Sequence, residues 1–421
     1  YHNCINGCFT CFHTRFCSCP IYIFNFLKMK PINSIISNSI LSIISIYIPL
    51  VSYCGFRHIT TSHERQVIED TRFIPENQNN IVNAINEGLI PMVAPSHSKI
   101  YALKSNIYPI GQYPYKNYIY CDEGYGLIRF KSDRFGLRNP DSNWNNTIKK
   151  DNIKVIGDSF AHGACVKDNF SIPRAIENST KINTLNLAAG GNGPYEYMAL
   201  LKTIVEPLNK KSDMNNWVIL IFYDNDNIEP NRKAEKLLKR AKPIISLDPD
   251  GSVFPTDDYK SKITNILKVN FPSTKESILK AIKEKEIVKT SKLSDNSIYQ
   301  IMTLFRLRRR IQNAWRSLFP SISERSIEML SKVCNKDCTP IVSYIPNSSF
   351  WYPNEKSWIY KNEIKSSAFK YGVRFVDGEE VIDSDERKDY APNGGHLSTS
   401  GYKKYSNLLS KEINETKKKA Y

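Results

Sequence analysis

Internal repetition is missing from this 421-residue chain: read against itself it shows no solenoid-length repeat and no low-complexity tract, which excludes solenoids and propellers. Also missing are H-E-x-x-H, the phosphate-binding P-loop and G-x-S-x-G, so three common kinds of catalytic or nucleotide site have no motif to stand on. A dinucleotide fingerprint fails as well, because G-x-G-x-x-G counted from Gly191 needs glycine where Glu196 stands. Acidic residues are outnumbered, 42 against 58 Lys and Arg, for a formal net charge of +16. That balance favours an acidic partner, whether anionic lipid, acidic polysaccharide or nucleic acid, without choosing among them. What is present is ordinary for a folded protein, 41% hydrophobic and 24% charged, and long enough for one large embellished domain or two smaller ones.

Five of the ten cysteines, Cys4, Cys8, Cys11, Cys17 and Cys19, crowd the first twenty positions, beside His13. The alternative is a small zinc or disulfide knot with His13 as an extra ligand, but the spacing matches no template of two paired C-x-x-C motifs. Residues 1–28 are therefore read as an upstream or non-native segment, with Met29 as the start. From Pro31 to Phe56 no charged residue occurs, which is long enough to cross a bilayer at about 20 residues. Its serines and asparagines lower its hydrophobicity, so residues 29–56 are read as a signal-anchor or transmembrane segment, which would place the following domain outside the cytoplasm.

Residues 57–150 form a linker and an accessory region. Ile81, Val82, Ile85, Leu89 and Ile90 have helical spacing, and then Tyr101, Tyr108, Tyr113, Tyr115, Tyr118, Tyr120 and Tyr125, interspersed with Gly and Pro, suit short strands and turns. From Asn152 short apolar runs (154–156, 183–187, 217–222) alternate with helical stretches such as Tyr195–Glu206, and 340–345 and 373–376 supply further strands. Such alternation predicts a parallel sheet covered on both faces, over residues 151–416. A Lys- and Arg-rich insertion covers about 230–335, and within it Ile298, Ile301, Met302, Phe305, Trp315, Leu318 and Phe319 mark one helix face. That face is read as packing on the domain rather than on a membrane.

In Val155-Ile156-Gly157-Asp158-Ser159-Phe160-Ala161-His162-Gly163 a serine follows an apolar strand where the chain must turn into a helix. Open α/β sheets place their sites at such strand ends, and the amides after Ser159 are candidates to face a developing oxyanion. Two further segments also follow strands: Thr184 to Gly193, which contains Gly190-Gly191-Asn192-Gly193, and Phe222-Tyr223-Asp224-Asn225-Asp226. Asn393-Gly394-Gly395-His396-Leu397-Ser398 precedes a last helix-like run to Leu409. His162 is read as exposed or pocket-lining, Cys334 and Cys338 as a disulfide or two buried thiols, and the 130–140 stretch as a structural turn.

In the order and spacing of these segments the chain, over about 152–410, resembles the SGNH (GDSL-like) hydrolase superfamily, and the 130–140 stretch resembles a lead-in of bacterial envelope-associated members, which implies that the domain sits in a bacterial envelope. The resemblance implies a flavodoxin-like three-layer α/β/α hydrolase domain without a cofactor or metal. It implies Ser159 as nucleophile, Gly191 and Asn225 as oxyanion donors and His396 as base, although Asp224 stands where the family has glycine. It also implies an acid three residues before the histidine, where this chain has Asn393; the candidates to orient the imidazole are Asn393, Asp389 or Asp385, failing which the site is a Ser–His dyad. The expected function is a serine esterase or acyltransferase acting on a small acyl ester or an acylated carbohydrate, with a membrane contact through the N-terminal segment and no nucleic-acid partner. The alternative is a catalytically impaired binding or assembly protein of the cell envelope.

Overall fold

A computed structural model describes residues 45, 47–49, 75–92, 106–228, 230–268, 320–351 and 357–419. Residues 1–28, nearly all of the apolar 29–56 segment and the 298–319 stripe lie outside the described residues. Chain contacts divide the protein into two units. The first, 1–63 with 293–312, is described only at residues 45 and 47–49, which are helical and, where their side chains are described, exposed. Among the described residues no helix is long and apolar enough to cross a membrane. The second unit, 64–292 with 313–421, carries everything that follows.

The second unit opens with helix α1 (Pro75–Asn86) and a small sheet of β1 (Ile90–Pro91), β2 (Asn117–Ile119) and β3 (Arg129–Lys131), with β1 parallel and β3 antiparallel to β2. The helical spacing runs past Leu89, but α1 stops at Asn86; Leu89 and Ile90 instead pack with Ala84, Ile85 and Ile119 under this sheet. The main sheet consists of β4 (Asn152–Ile156), β5 (Asn183–Asn186), β6 (Asn216–Phe222), β9 (Thr339–Tyr344) and β10 (Arg374–Asp377). Its order is β10-β9-β6-β4-β5, and every pairing is parallel. A hairpin of β7 (Ile245–Leu247) and β8 (Val253–Pro255) stands apart.

Strand β6 shows why the apolar runs are unbroken. Trp217, Ile219 and Ile221 enter one core with Ile172 and Ile176 of α3 (Ile172–Thr180) and Tyr402, Tyr405 and Leu409 of α10 (Thr399–Lys419). Val218, Leu220 and Phe222 enter the other, with Tyr197 and Ala199 of α4 (Pro194–Leu200), Ile327 and Leu330 of α8 (Ile322–Cys334) and Ile364 of α9 (Ser357–Lys370). With both faces covered no position needs to be polar, and each fully buried Val, Leu or Ile contributes roughly 1.5–3 kcal/mol by leaving water. Helix α8, at the end of the stretch read as an insertion, is thus part of the layer that covers the sheet.

Successive crossovers from β4 go first to β5 on one side and then to β6 on the other. The C-terminal end of β4 is therefore the point where strand order reverses, the usual place for a site in an open α/β sheet.

Candidate active site

Strand β4 ends at Ile156, and Gly157 and Asp158 turn the chain into the one-turn helix α2 (Ser159–His162). Asp158 caps it: its carboxylate accepts from the Phe160 amide at 2.9 Å and from the Ala161 amide. The amides that follow Ser159, expected to face an oxyanion, are thus occupied by Asp158. Burial pushes the Asp158 carboxyl above its ordinary range, opposed by those amides, by His396 and by a hydrogen bond from the Asn225 side chain.

That last bond places Asn225. It lies exposed on the turn Asp224–Asp226 after β6, and its amide reaches the carboxylate of the residue next to Ser159. An amide nitrogen carries two N–H groups, so one remains beyond the bond to Asp158. Asp224, where the resemblance calls for glycine, points elsewhere and accepts from the Tyr344 hydroxyl at 2.5 Å. Gly191 follows β5 in the left-handed region, φ 77°, and its amide belongs to a turn tied to the serine loop by Ala189 N–H donating to the Gly157 carbonyl. The ends of β4, β5 and β6, neighbours in the sheet, therefore carry Ser159, Gly191 and Asn225.

His396 enters from the loop before α10. Its Nε2 lies 2.9 Å from Ser159 Oγ. The Phe160 ring, stacked on Tyr223, also packs against the imidazole at 4.7 Å between centroids. The partner of the other ring nitrogen corrects the expectation from sequence: Nδ1 is 2.8 Å from Oε1 of Glu123, whose Oε2 accepts from the His396 main-chain N–H at 3.1 Å. Asn393 meets Glu123 through main chain, its N–H donating to the Glu123 carbonyl. Asp389 is buried elsewhere, accepting from Lys404 at 2.6 Å and from the Asp383 amide, and Asp385 accepts from Ser349. With Glu123 ionised, Nδ1–H donates to it, and the Nε2 lone pair faces the serine hydroxyl.

Glu123 arrives from the accessory region, 273 positions away in sequence. Asp122 shapes its loop by accepting from the Gly124 and Gly126 amides at 2.8 and 3.1 Å. Gly394 makes room for it: a Cβ at that position would lie 1.9 Å from the Glu123 carboxyl carbon, so glycine at 394 is a steric requirement of the Glu123 side chain's position. The signal in the sequence is faint. Asp122 and Glu123 are the only acids between positions 99 and 132, and they directly follow Cys121. That cysteine forms a disulfide with Cys165, just beyond α2. Cys334 and Cys338 form a second disulfide.

His162 is buried rather than exposed or pocket-lining. It packs edge-on against Tyr120 and Phe130, and burial holds its imidazole well below the usual range, hence neutral. The 130–140 stretch is a turn, as read, but a densely bonded one. Asp133 accepts from the Phe135 and Leu137 amides, from Asn139 and from the Trp144 indole, and Arg138 donates to the Gly163 and Val166 carbonyls. Ligand-type atoms of Glu123, Cys165 and His396 lie within 4.8 Å of one another. The Cys165 sulfur is spent in a disulfide and offers no thiolate to a metal, and the other two already face each other as carboxylate and imidazole.

No protein-family model matches the chain, and no curated protein matches it. Solved structures do match it, among them three with low identity. A carbohydrate acetylesterase from Sinorhizobium meliloti is 9% identical, covering 63% of this chain and 99% of its own, with a TM-score of 0.32. A member of the lipolytic protein G-D-S-L family from Veillonella parvula DSM 2008 is 8% identical, covering 62% and 96%, with a TM-score of 0.31. An aryl esterase from M. smegmatis is 8% identical, covering 63% and 99%, also at 0.31.

Proposed function

We propose that the protein is a serine ester hydrolase or acyltransferase, with Ser159 as nucleophile, His396 as general base and Glu123 as the acid behind it. The observation that carries this reading is the continuous relay from Ser159 Oγ to His396 Nε2 at 2.9 Å and from Nδ1 to Glu123 at 2.8 Å. A serine hydroxyl is a poor nucleophile until a base takes its proton, and a carboxylate on the far nitrogen fixes the imidazole's tautomer and stabilises the imidazolium that forms. As Oγ adds to the acyl carbonyl carbon, its proton passes to Nε2. The Gly191 amide and the Asn225 amide are the proposed donors to the negative oxygen. The imidazolium then returns the proton to the leaving alkoxide as the ester C–O bond breaks. Water, or an acceptor hydroxyl in a transferase, repeats the sequence to free the serine.

The reading of an impaired binding protein rested partly on Asn393 in place of an acid, and Glu123 supplies that acid. An acyl group on a carbohydrate, such as an O-acetyl ester, is the proposed substrate. The two disulfides support placing the domain in an oxidising compartment outside the cytoplasm, and anchoring through residues 29–56 completes that proposal. Hydrolysis of 4-nitrophenyl acetate by purified protein should fall to background in Ser159→Ala, and an unchanged rate in that variant sinks the mechanism. Release of acetate from an O-acetylated polysaccharide tests the substrate class.

A further inference from the structure

The acid is held by one short loop, and that loop is tied down at a single covalent point. Cys121 lies two residues before Glu123, and its partner Cys165 lies just past the helix that carries Ser159. The crosslink therefore spans, at the back of the relay, the two segments whose separation decides whether Glu123 reaches His396. Cys165 Sγ is itself 3.7 Å from His396 Nδ1, the atom that faces Glu123. Cys165 also sits at φ 58°, a left-handed conformation that a residue with a side chain holds only where its surroundings impose it. The loop's other ties are hydrogen bonds: Tyr120 N–H donates to the Ile128 carbonyl, Ile128 N–H to the Cys121 carbonyl, and the Asn393 and His396 main-chain N–H groups to Glu123. The Asp122 bonds within it are exposed, and the strands on either side, Asn117–Ile119 and Arg129–Lys131, are three residues each.

We infer that the Cys121–Cys165 disulfide is a positioning element for the relay, so that reducing it withdraws Glu123 from His396 and lowers activity while the α/β sheet stays folded. This rests on the proposed roles of Ser159, His396 and Glu123. The reductant is a dithiol, whether a small molecule or a thiol–disulfide oxidoreductase. Its thiolate attacks one sulfur, and half-buried Cys121 is more open than Cys165, which is 1% exposed. Two electrons and two protons pass to the protein, the S–S bond becomes two thiols, and the dithiol leaves as a disulfide. The freed Cys165 thiol then remains beside the imidazole nitrogen that Glu123 has left.

The test uses the full chain, oxidised and dithiothreitol-reduced, with alkylation and mass measurement to establish that Cys121 and Cys165 are open. Far-UV circular dichroism follows the fold. Reduction should lower kcat for 4-nitrophenyl acetate at least tenfold, leave KM within about twofold, and reverse on reoxidation. The Cys334→Ser/Cys338→Ser variant should keep wild-type activity and respond to reduction in the same way. In Glu123→Gln, reduction should cause no further loss, because contacts that act as a unit are not additive. A second readout is independent of turnover: the low-field proton resonance of His396 Nδ1–H, absent in Glu123→Gln, should vanish on reduction. Unchanged kcat with both thiols titrated overturns the proposal, as does an equal loss in wild type and Glu123→Gln, or a resonance that survives reduction. Failure of the esterase reading shows itself separately, as oxidised protein whose hydrolysis does not depend on Ser159; the resonance then still decides the role of the disulfide.

Discussion

In the main sheet, residues 217–220 have ladder partners on both sides and buried apolar side chains on both faces, whereas residues 106–146 have only three-residue strands and add, to the apolar residues they bury, many side chains bonded to main chain. Asn139 makes the contrast concrete: its side chain donates to the Asn186 carbonyl and accepts from the Asn186 amide, taking the place of a neighbouring strand at the free edge of β5. Arg134 works similarly, binding both oxygens of Asp141 and the Val253 carbonyl. Hydrophobic burial tolerates small shifts, because it is non-directional. Buried polar bonds do not, since a group left unpaired costs its full desolvation. The sheet provides a frame with three strand ends in fixed register, and the lead-in provides Glu123, the carboxylate proposed to orient His396.

The largest effect that would separate the two regions is at Glu123. Glu123→Gln keeps size and removes charge, so it should leave the fold intact and lower kcat by about 10²- to 10⁴-fold. A value near wild type, measured with 4-nitrophenyl acetate, would mean that His396 works as half of a dyad and that the lead-in is only scaffolding.

A second experiment weighs the two kinds of stabilisation against each other. Ile219→Ala, in the sheet, should cost about 2–5 kcal/mol in urea unfolding while activity per folded molecule stays unchanged. Asp133→Ala removes the acceptor of the Trp144 indole, of one Asn139 amide N–H and of two main-chain N–H groups. It should cost on the order of 3 kcal/mol and also lower kcat, because the lead-in loosens. Equal effects of the two substitutions on activity would erase the distinction.

The last effect is graded with pH and concerns the place where the sheet itself uses a polar device. Lys154, fully buried on β4, donates to Asn209 and Asn216 at 2.9 and 2.8 Å, and burial pushes its amine down to about 7 from 10.5. Its folded value lies below its unfolded one, so between pH 7 and 10.5 the unfolded chain binds more protons and stability rises with pH. The cost is fully present below pH 7. The stability of Lys154→Met relative to wild type should therefore be greatest below pH 7 and fall by up to about 1.4 kcal/mol per pH unit above it, read from denaturant midpoints across pH. A flat difference would place the charge of Lys154 in contact with water.

The strands at 154–156, 183–187, 217–222, 340–345 and 373–376 were legible because each is an apolar run bounded by turn residues, and the structure extends or trims them by a residue or two. The lead-in was legible only as Tyr-rich strands and turns. Its stabilising bonds join residues such as Asn139 and Asn186, 47 positions apart, and such bonds leave no period in a sequence.

The sequence by itself determined the succession of strand, turn and helix that puts Ser159, Gly191 and Asn225 on neighbouring strand ends, and the last loop that carries His396. Local patterns suffice for that, because burial on both faces and glycine-bearing turns are written into adjacent residues. Only the tertiary structure decided the acid. A carboxylate is chosen by which chain segment folds back within hydrogen-bond reach of an imidazole, and the segment carrying Glu123 is brought there by a disulfide, by the space above Gly394 and by polar bonds far from it in sequence.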